Sequence, residues 1–273
     1  MLNQNDFQFI YQLIRSECGI ELDTGKEYLV DLRLSELAHA EGFGSVKKLI
    51  QSLMQTQSAS LTRKTVDALT TNETSFFRDF KPFEYLRKEV IPHLSQRANK
   101  TINIWSAACS TGQEPYSIAM ILQQYFPHLL TEFQVNILAT DISFNCLKIA
   151  QNGLYSQFQV NRGLPAAYLV RHFEQQGQDW QLKSNIRDLV KFREFNLIGP
   201  WNGLETMDVI FMSNVLMYFS SETKRMLFER VHALLQPDGY LFLGGSENPF
   251  GLNQHFVRVD SADNANCYRL IKK

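Results

Sequence analysis

The chain has 273 residues, of which 44% are hydrophobic, 20% are charged and 12% are aromatic. This is the composition of a globular protein with enough apolar mass for a core, and the length fits one large domain or two smaller ones. The formal net charge of −1 excludes a whole-molecule field that would attract nucleic acid or a membrane, and leaves room only for a local basic face.

The cysteines are scattered, with no CxxC or Cys/His ligand spacing; they are Cys18, Cys109, Cys146 and Cys267. This predicts reduced thiols in a cytoplasmic protein without a structural zinc. The first residues, MLNQNDFQFI, lack a basic stretch followed by an apolar run, so no signal peptide is predicted. No apolar stretch is long enough to span a bilayer.

The first part of the chain has helical patterns. In DFQFIYQLIRSECGI (6–20), apolar side chains recur at helical spacing, and Gly19 is placed to end the helix. Three more helices are predicted, over about 26–39, 45–54 and 61–69, the second of them capped by Ser45. These patterns predict an all-helical N-terminal domain over residues 1–75. A long helix over about 81–97 follows, which Pro92 kinks or divides.

Strand and helix patterns alternate from Thr101 onward. Five segments are predicted strands: INIWSA, QVNILATD, LVKFREF, MDVIFMSN and GYLFLGG. Helical patterns lie between several of them: EPYSIAMILQQYF, SFNCLKIAQNG and SETKRMLFERVHALL. This alternation predicts an α/β domain over 76–273, with a parallel sheet covered by helices on both faces. After a tight turn at 237–239, HFVRVD and NCYRLIKK predict an antiparallel C-terminal hairpin.

One region breaks the alternation, because 153–189 is too long for a single crossover. YLVRHFEQQ has a helical pattern, and DWQLKS and NIRDLVKF are predicted to form a small antiparallel pair. We expect a small β-subdomain inserted at about 154–188. The alternative is a long excursion with no separate role.

The turn after the first predicted strand has the composition of a ligand site. Residues 107–112 are small, Gly112 tolerates backbone angles that other residues resist, and the next helix opens with Glu114. Open α/β sheets bind ligands beyond the carboxyl ends of their strands. Neither G-x-G-x-x-G nor G-x-x-x-x-G-K-[ST] is present, and Glu114 would repel a phosphate. S-adenosylmethionine fits, because it has an adenosine, no phosphate, and cationic amino and sulfonium groups.

The second predicted strand ends in Asp141. An acid at this position is the usual partner of ribose hydroxyls. The alternative is an N-cap of the helix SFNCLKIA. The spacing alone favours neither the ribose contact nor the N-cap, and the turn before Glu114 favours the ribose contact.

Two further segments carry candidate ligand contacts. In TNETSFFRD (71–79), polar side chains offer more hydrogen bonds than a linker needs, and Arg78 could hold a carboxylate as a planar fork. The alternative is a linker whose Phe pair packs into the core. After the third strand, Asn196 could contact the edge of adenine and Leu197 its face. There the alternative is an ordinary strand-end turn.

The segment SNVLMYF (213–219) follows the fourth strand. In methyltransferases of this architecture, the end of that strand faces the methyl group, and Tyr218 could orient the acceptor. The alternative is a helical turn that buries Val215, Met217 and Phe219.

Together, TNETSFFRD, WSAACSTGQEPYSIAM, ATDIS, FNLI, NVLMYF and PDGYLFLGGSE resemble the CheR family of chemotaxis receptor glutamate O-methyltransferases. The resemblance covers essentially the whole chain, and the order and spacing of the motifs are highly specific. It implies a Rossmann-like class I methyltransferase sheet, N-terminal helices that bear on the receptor, and an insertion that in some members binds a receptor tail peptide.

The resemblance also implies the chemistry. S-adenosylmethionine is the cofactor and S-adenosylhomocysteine the product, without a metal. The partner is the cytoplasmic helical domain of chemotaxis receptors, and the enzyme is a cytoplasmic monomer that binds no nucleic acid and does not insert into the membrane. The implied cofactor residues are Asn72, Thr74, Arg78, Glu114, Asp141, Asn196, Leu197, Ser213 and Asn214. Arg78 and Tyr218 would lie nearest the transferred methyl group and are the catalytic candidates.

The chain departs from the family pattern at Ser213, where many members carry Arg, and at Gln113, where many carry Glu. The second helix offers few cations; they are Lys26, Arg33 and His39. A nucleic-acid methyltransferase is the first alternative, but no Asp/Asn-Pro-Pro-aromatic run follows the fourth strand and no Cys lies beside a Pro. A binding module without catalysis is the second, and Ser213 keeps it open.

Overall fold

The structure is a computed structural model and describes residues 2–56, 58–260 and 264–271. It divides into two compact units. The first comprises Met1–Thr71 with Tyr218–Thr223, and the second comprises Asn72–Met217 with Lys224–Lys273. Among the described residues, no helix is both long and apolar enough to cross a bilayer.

The described N-terminal residues are helical, as predicted. The helices are α1 Gln4–Cys18, α2 Glu27–Ala40, α3 Val46–Thr56 and α4 Ala59–Leu69. Gly19 ends α1 in a left-handed conformation with φ 74°, which glycine adopts without steric cost. Ser45 accepts the Lys48 N–H at 3.3 Å and so caps α3. Arg33 donates to the carbonyl oxygens of Leu69 and Thr70, so this cation stabilises the C-terminal end of α4.

The predicted helix over 81–97 is divided. It forms α5 Lys81–Tyr85, a π-helical turn over Leu86–Val90, and α6 Ile91–Leu94. The Ile91 N–H reaches back to the Leu86 carbonyl, one residue further than in an α-helix. The wider turn lies directly before Pro92, whose ring would clash with a carbonyl in a regular helix.

The main sheet has seven strands in the order β6-β2-β1-β7-β8-β10-β9, with these bounds: β1 Thr101–Ala107, β2 Gln134–Asp141, β6 Val190–Glu194, β7 Met207–Met212, β8 Leu235–Leu243, β9 Phe256–Arg258 and β10 Cys267–Leu270. The first five in that order are parallel, and β10 pairs antiparallel with both β8 and β9. The predicted parallel sheet with a C-terminal hairpin is confirmed. Four helices lie in the chain between strands of this sheet: α7 Gln113–Tyr125, α8 Leu129–Glu132, α9 Phe144–Asn152 and α13 Ser221–Leu234.

The centre of this sheet is apolar on both faces. Every residue of β7 is buried, as expected for a parallel strand covered on both sides. Phe211 on β7 stacks on Phe242 of β8 with ring centroids 4.4 Å apart. These contacts stabilise the two central strands, and the loops of the candidate site begin where strands of this sheet end.

The turn predicted at 237–239 is instead a bulge inside β8. Met207 pairs with Leu235 while Val209 pairs with Tyr240, so the extra residues on β8 loop out between these pairs. A Cβ at Gly239 would lie 2.9 Å from the Gln236 carbonyl oxygen, which explains the glycine. Strand pairing therefore begins before the Pro-Asp-Gly sequence.

The insertion forms a second sheet in the order β3-β5-β4, with these elements: β3 Leu154–Ser156, α10 Gln157–Asn161, α11 Ala166–His172, β4 Phe173–Gln176, β5 Asp179–Leu182 and α12 Ser184–Arg187. The predicted small antiparallel sheet is confirmed, but the predicted pairing is wrong. DWQLKS pairs with 154–156 and 173–176, whereas NIRDLVKF splits between α12 and β6. YLVRHFEQQ has a helical pattern throughout, so the sequence did not indicate that the helix ends and a strand begins at Phe173.

Candidate cofactor-binding site

Several predicted site residues of the second unit lie at the carboxyl ends of the parallel strands. Gly112 and Glu114 follow β1, and Asp141 ends β2. Asn196 follows β6, and Ser213 follows β7. This edge is where open α/β sheets bind ligands.

The loop between β1 and α7 has an unusual backbone. Ala108, Ser110 and Gly112 have φ values of 58°, 50° and 93°, and two of these residues carry a Cβ that disfavours the left-handed region. A Cβ at Gly112 would lie 2.8 Å from the Ala150 Cβ, so only glycine fits there. Strained backbone of this kind points to a functional loop.

Asp141 holds this loop against the end of β2. Its buried carboxylate accepts the Ser110 N–H at 2.7 Å through one oxygen and the Ser143 N–H at 2.8 Å through the other. Ser143, not Asp141, caps α9, since its hydroxyl accepts the Cys146 N–H at 3.1 Å. The capping alternative for Asp141 is therefore wrong, and its contact with a ribose stays a prediction.

Glu114 is a partly buried acid whose contacts are mainly hydroxyl groups. The Ser106 hydroxyl donates to its carboxylate at 2.7 Å. Burial raises the pKa of Glu114 to about 7, against the opposing effects of hydrogen bonds from the Ser106 and Ser213 hydroxyls and of the Arg78 charge. The negative charge of Glu247 adds to the rise in pKa. Near neutral pH this acid is poised to gain or lose its proton, and a bound cation would favour the anion.

Arg78 lies in a strained segment that joins the site to α7. Phe77, Asp79 and Phe80 have φ values of 48°, 62° and 48°, and the Phe77 N–H donates to the Ser117 hydroxyl at 3.0 Å. The Arg78 guanidinium donates to the Glu73 carbonyl at 2.9 Å. These two hydrogen bonds hold the backbone at Phe77 and the side chain of Arg78 in place.

The linker alternative for residues 71–79 is correct in part. Phe76 and Phe77 are both buried in the core, as that alternative expected. However, the Asn72 carbonyl accepts the Ser110 hydroxyl at 2.8 Å, which ties the segment to the strained loop. Thr74 is half-buried, and its contact with a ligand stays a prediction.

Asn196 and Leu197 form an ordered turn. The Asn196 side-chain oxygen accepts the Ile198 N–H at 3.1 Å, which is an Asx turn. Leu197 is buried, and its carbonyl accepts from the Trp201 indole at 2.9 Å and from the Arg230 guanidinium at 3.0 Å. These hydrogen bonds stabilise an ordinary turn at the end of a strand, as the alternative expected. A contact of Asn196 or Leu197 with adenine stays a prediction.

Glu247 is a buried acid beside the predicted site residues, and the sequence analysis predicted no role for it. Its buried carboxylate accepts the N–H groups of Asn214 at 2.7 Å, Gly244 at 2.8 Å and Met217 at 3.2 Å. Burial raises the pKa of Glu247, and these backbone N–H groups oppose that rise. The sequence signal for this acid is Gly-Gly-Ser-Glu after a buried strand. The glycine is needed because a Cβ at Gly244 would lie 2.8 Å from both the Asn214 backbone nitrogen and a Glu247 carboxylate oxygen.

Asn214 itself has a φ of 60°, so Glu247 holds the loop after β7 in a left-handed conformation. Tyr218 belongs to the first unit. There its carbonyl accepts the Glu21 N–H at 2.9 Å. The helical-turn alternative is confirmed only in part. Leu216–Tyr218 forms a 3₁₀ turn and Phe219 is buried, but Val215 is half-buried and Met217 is 56% exposed. A role of Tyr218 in catalysis stays a prediction.

Comparisons with known proteins identify the family and relatives of this chain. Residues 72–264 match the model of the CheR methyltransferase SAM-binding domain, and residues 5–70 match the CheR methyltransferase all-alpha domain. Chemotaxis protein methyltransferase 1 of Pseudomonas aeruginosa is 42% identical over 258 residues, covering 93% of this chain and 94% of that protein. Chemotaxis protein methyltransferase Cher2 of Pseudomonas putida is 40% identical over the same shares. The chemotaxis protein methyltransferase of Borreliella burgdorferi is 33% identical over 90% of this chain and 89% of that protein.

Proposed function

Because the chain belongs to the CheR methyltransferase family, we propose that it methylates glutamate side chains of chemotaxis receptors for sensory adaptation. The methyl donor is S-adenosylmethionine, and the products are glutamyl methyl esters and S-adenosylhomocysteine. The observation that carries this proposal is Glu114, a partly buried acid at the carboxyl edge of the sheet with no pyrophosphate-binding glycine pattern beside it. Such a site fits a cationic adenosyl ligand and disfavours a dinucleotide.

The residues have separate tasks in this proposal. S-adenosylmethionine, when bound, supplies an electrophilic methyl group on a sulfonium. Glu114 balances the positive charge of the ligand, Asp141 accepts from ribose hydroxyls, and Arg78 holds the methionine carboxylate. The other residues that line the cofactor site in this proposal are Asn72, Thr74, Asn196, Leu197, Ser213 and Asn214. Tyr218 orients the acceptor.

The acceptor needs no general base. A receptor glutamate has an unperturbed pKa of about 4.3 and is an anion at neutral pH. Consistent with this, none of the six histidines lies in the motifs that supply the site residues. The protein's work is to align the acceptor oxygen with the methyl group, and alignment of this kind can supply about 7–11 kcal/mol.

The partner follows from the family. We propose that the enzyme acts in the cytoplasm, as a monomer, on the helical cytoplasmic domain of receptors, and that the β-subdomain at about 154–188 is the place for a receptor tail peptide. In this proposal the domains are 1–75 for receptor contact and 76–273 for catalysis. Arg33 already bonds the end of α4, so receptor contact by the first unit would rest on its other cations.

The test is methyl transfer with a chemically defined product. The protein is incubated with methyl-labelled S-adenosylmethionine and receptor cytoplasmic fragments, and the label is expected in mild-alkali-labile form, since glutamyl esters hydrolyse where N-methyl groups do not. A receptor fragment with its acceptor glutamates changed to alanine is the matched control. Alkali-stable label would refute the acceptor class, and cofactor binding without any transfer would favour a binding module.

A further inference from the structure

Three side chains converge on the second unit, outside the site described above. Glu229 and His232 are three residues apart on α13, which places them on one face of the helix. His255 directly precedes β9. A carboxylate oxygen of Glu229 and a ring nitrogen of each histidine all lie within 4.8 Å of one another.

The cluster is held in a defined arrangement. The rings of His232 and His255 are stacked, with centroids 3.9 Å apart and planes inclined by 6°. The His255 Nε2 lies 3.9 Å from the second carboxylate oxygen of Glu229.

Asn253 connects the two halves of the cluster. Its side chain is buried, its amide donates to Glu229 at 2.8 Å, and its oxygen accepts the His255 N–H at 2.8 Å. One residue thus orients the carboxylate from α13 and the backbone that carries His255. Outer partners of this kind orient metal ligands in known sites.

We propose that Glu229, His232 and His255 form a binding site for a divalent transition-metal ion of the zinc class. Two imidazoles and a carboxylate are the donors that Zn²⁺ takes in three-ligand sites, with bonds of about 2.0–2.2 Å and one position left to water. The sequence predicted no metal because its ligands come from a helix and from a distant loop, not from a short repeated spacing.

Binding requires a small adjustment of side chains. An imidazole nitrogen binds a metal in the plane of its ring, so one of the two parallel rings must turn about its Cβ–Cγ bond. The side chains of His255 and Glu229 are 42% and 60% exposed, so this turn meets little packing resistance. The bound ion would join α13 to the segment before β9 and so stabilise the C-terminal hairpin.

The test uses ZnCl₂ and the chelator-treated full chain. Calorimetry is expected to show one saturable zinc site per chain, and thermal unfolding is expected to move to higher temperature with zinc. Changing His232→Gln or His255→Gln should abolish both effects, whereas His128→Gln, which changes an exposed histidine elsewhere, should leave both unchanged. The cysteines are buried, so thiols do not compete.

A positioning variant separates a built site from accidental chelation. Asn253→Ala should keep the one-to-one stoichiometry and weaken zinc affinity by about 10-fold to 100-fold. Its unfolding temperature without zinc shows whether the fold is intact. Absence of a saturable site, or a site that survives both histidine changes, would overturn the proposal and leave a plain surface cluster.

Discussion

Replacing Glu114 by glutamine tests the electrostatic reasoning about the cofactor site directly. The change keeps the shape of the side chain and one acceptor oxygen for the Ser106 and Ser213 hydroxyls, but removes the ionisable group. In our proposal the anion of Glu114 balances a cationic ligand. Glu114→Gln should therefore weaken S-adenosylmethionine binding while it stabilises the ligand-free protein, and the two effects should depend on pH in a related way.

The magnitude follows from the pKa. Burial raises the pKa of Glu114 from 4.5 to about 7, which corresponds to at most about 3.5 kcal/mol at about 1.4 kcal/mol per pH unit. Between these two values the folded protein holds a proton that the unfolded chain has released. The free energy of unfolding of the natural protein therefore falls, relative to the glutamine variant, as pH rises from 4.5 to 7, and levels off above.

The affinity should change in the opposite direction. As pH rises toward 7, the fraction of ionised Glu114 grows, so the natural protein should bind S-adenosylmethionine about tenfold more tightly at pH 7.5 than one pH unit below its pKa. The Glu114→Gln variant should bind S-adenosylmethionine about 10-fold to 100-fold more weakly than the natural protein at pH 7.5, as expected for a lost charge-assisted contact. The affinity of this variant should not change between pH 5.5 and 7.5.

Two measurements check this reasoning. Calorimetry at several pH values gives the affinities, and urea unfolding at pH 5 and pH 8 gives the stability difference. Glu132→Gln, which changes an exposed acid on α8, is the matched control and should alter neither. A glutamine variant with unchanged affinity, or one no more stable than the natural protein at pH 8, would refute the role given to Glu114.

Four other changes have distinct expected outcomes. Glu247→Gln turns one acceptor oxygen into a donor facing backbone N–H groups, and should lower the free energy of unfolding by about 2–4 kcal/mol in urea titration; an unchanged midpoint contradicts that role. Asp141→Ala should weaken cofactor binding in calorimetry. Arg78→Ala should reduce both cofactor affinity and turnover of labelled methyl groups. Tyr218→Phe should lower turnover at unchanged cofactor affinity, and equal turnover would remove Tyr218 from the mechanism.

The sheet was predictable because its signal is local and repeated. Each core strand is a short apolar run followed by small or polar residues, and helices with apolar stripes separate several of them. QVNILATD is strand β2 without a change of boundary. Since parallel strands collect their carboxyl ends at one edge, this alternation was enough to bring Glu114, Asp141 and Asn196 to the same part of the molecule.

One error arose in a local hairpin. FEQQ continues a helical pattern, and only pairing with 179–182 makes it a strand. The other errors arose where a residue's partner is distant in sequence. The Pro-Asp-Gly sequence signals a turn, but pairing of Leu235 with Met207 starts β8 before it. Glu247 gains its role from N–H groups some thirty residues earlier in the chain. Local patterns carry no record of such partners.

The serine at position 213 gives the site a charge balance of its own. The family resemblance leads us to expect arginine there, whereas here the Ser213 hydroxyl donates to Glu114. Among the groups that shift the pKa of Glu114, Arg78 is the cation and Glu247 is an acid that raises it further. A cationic ligand relieves the repulsion between these two acids, so its binding should release part of a proton from Glu114 near pH 7 when that site fills. In our proposal the ligand supplies the positive charge that an arginine would supply at position 213. Calorimetry in buffers of different ionisation heat should therefore detect less proton release from a Ser213→Arg variant.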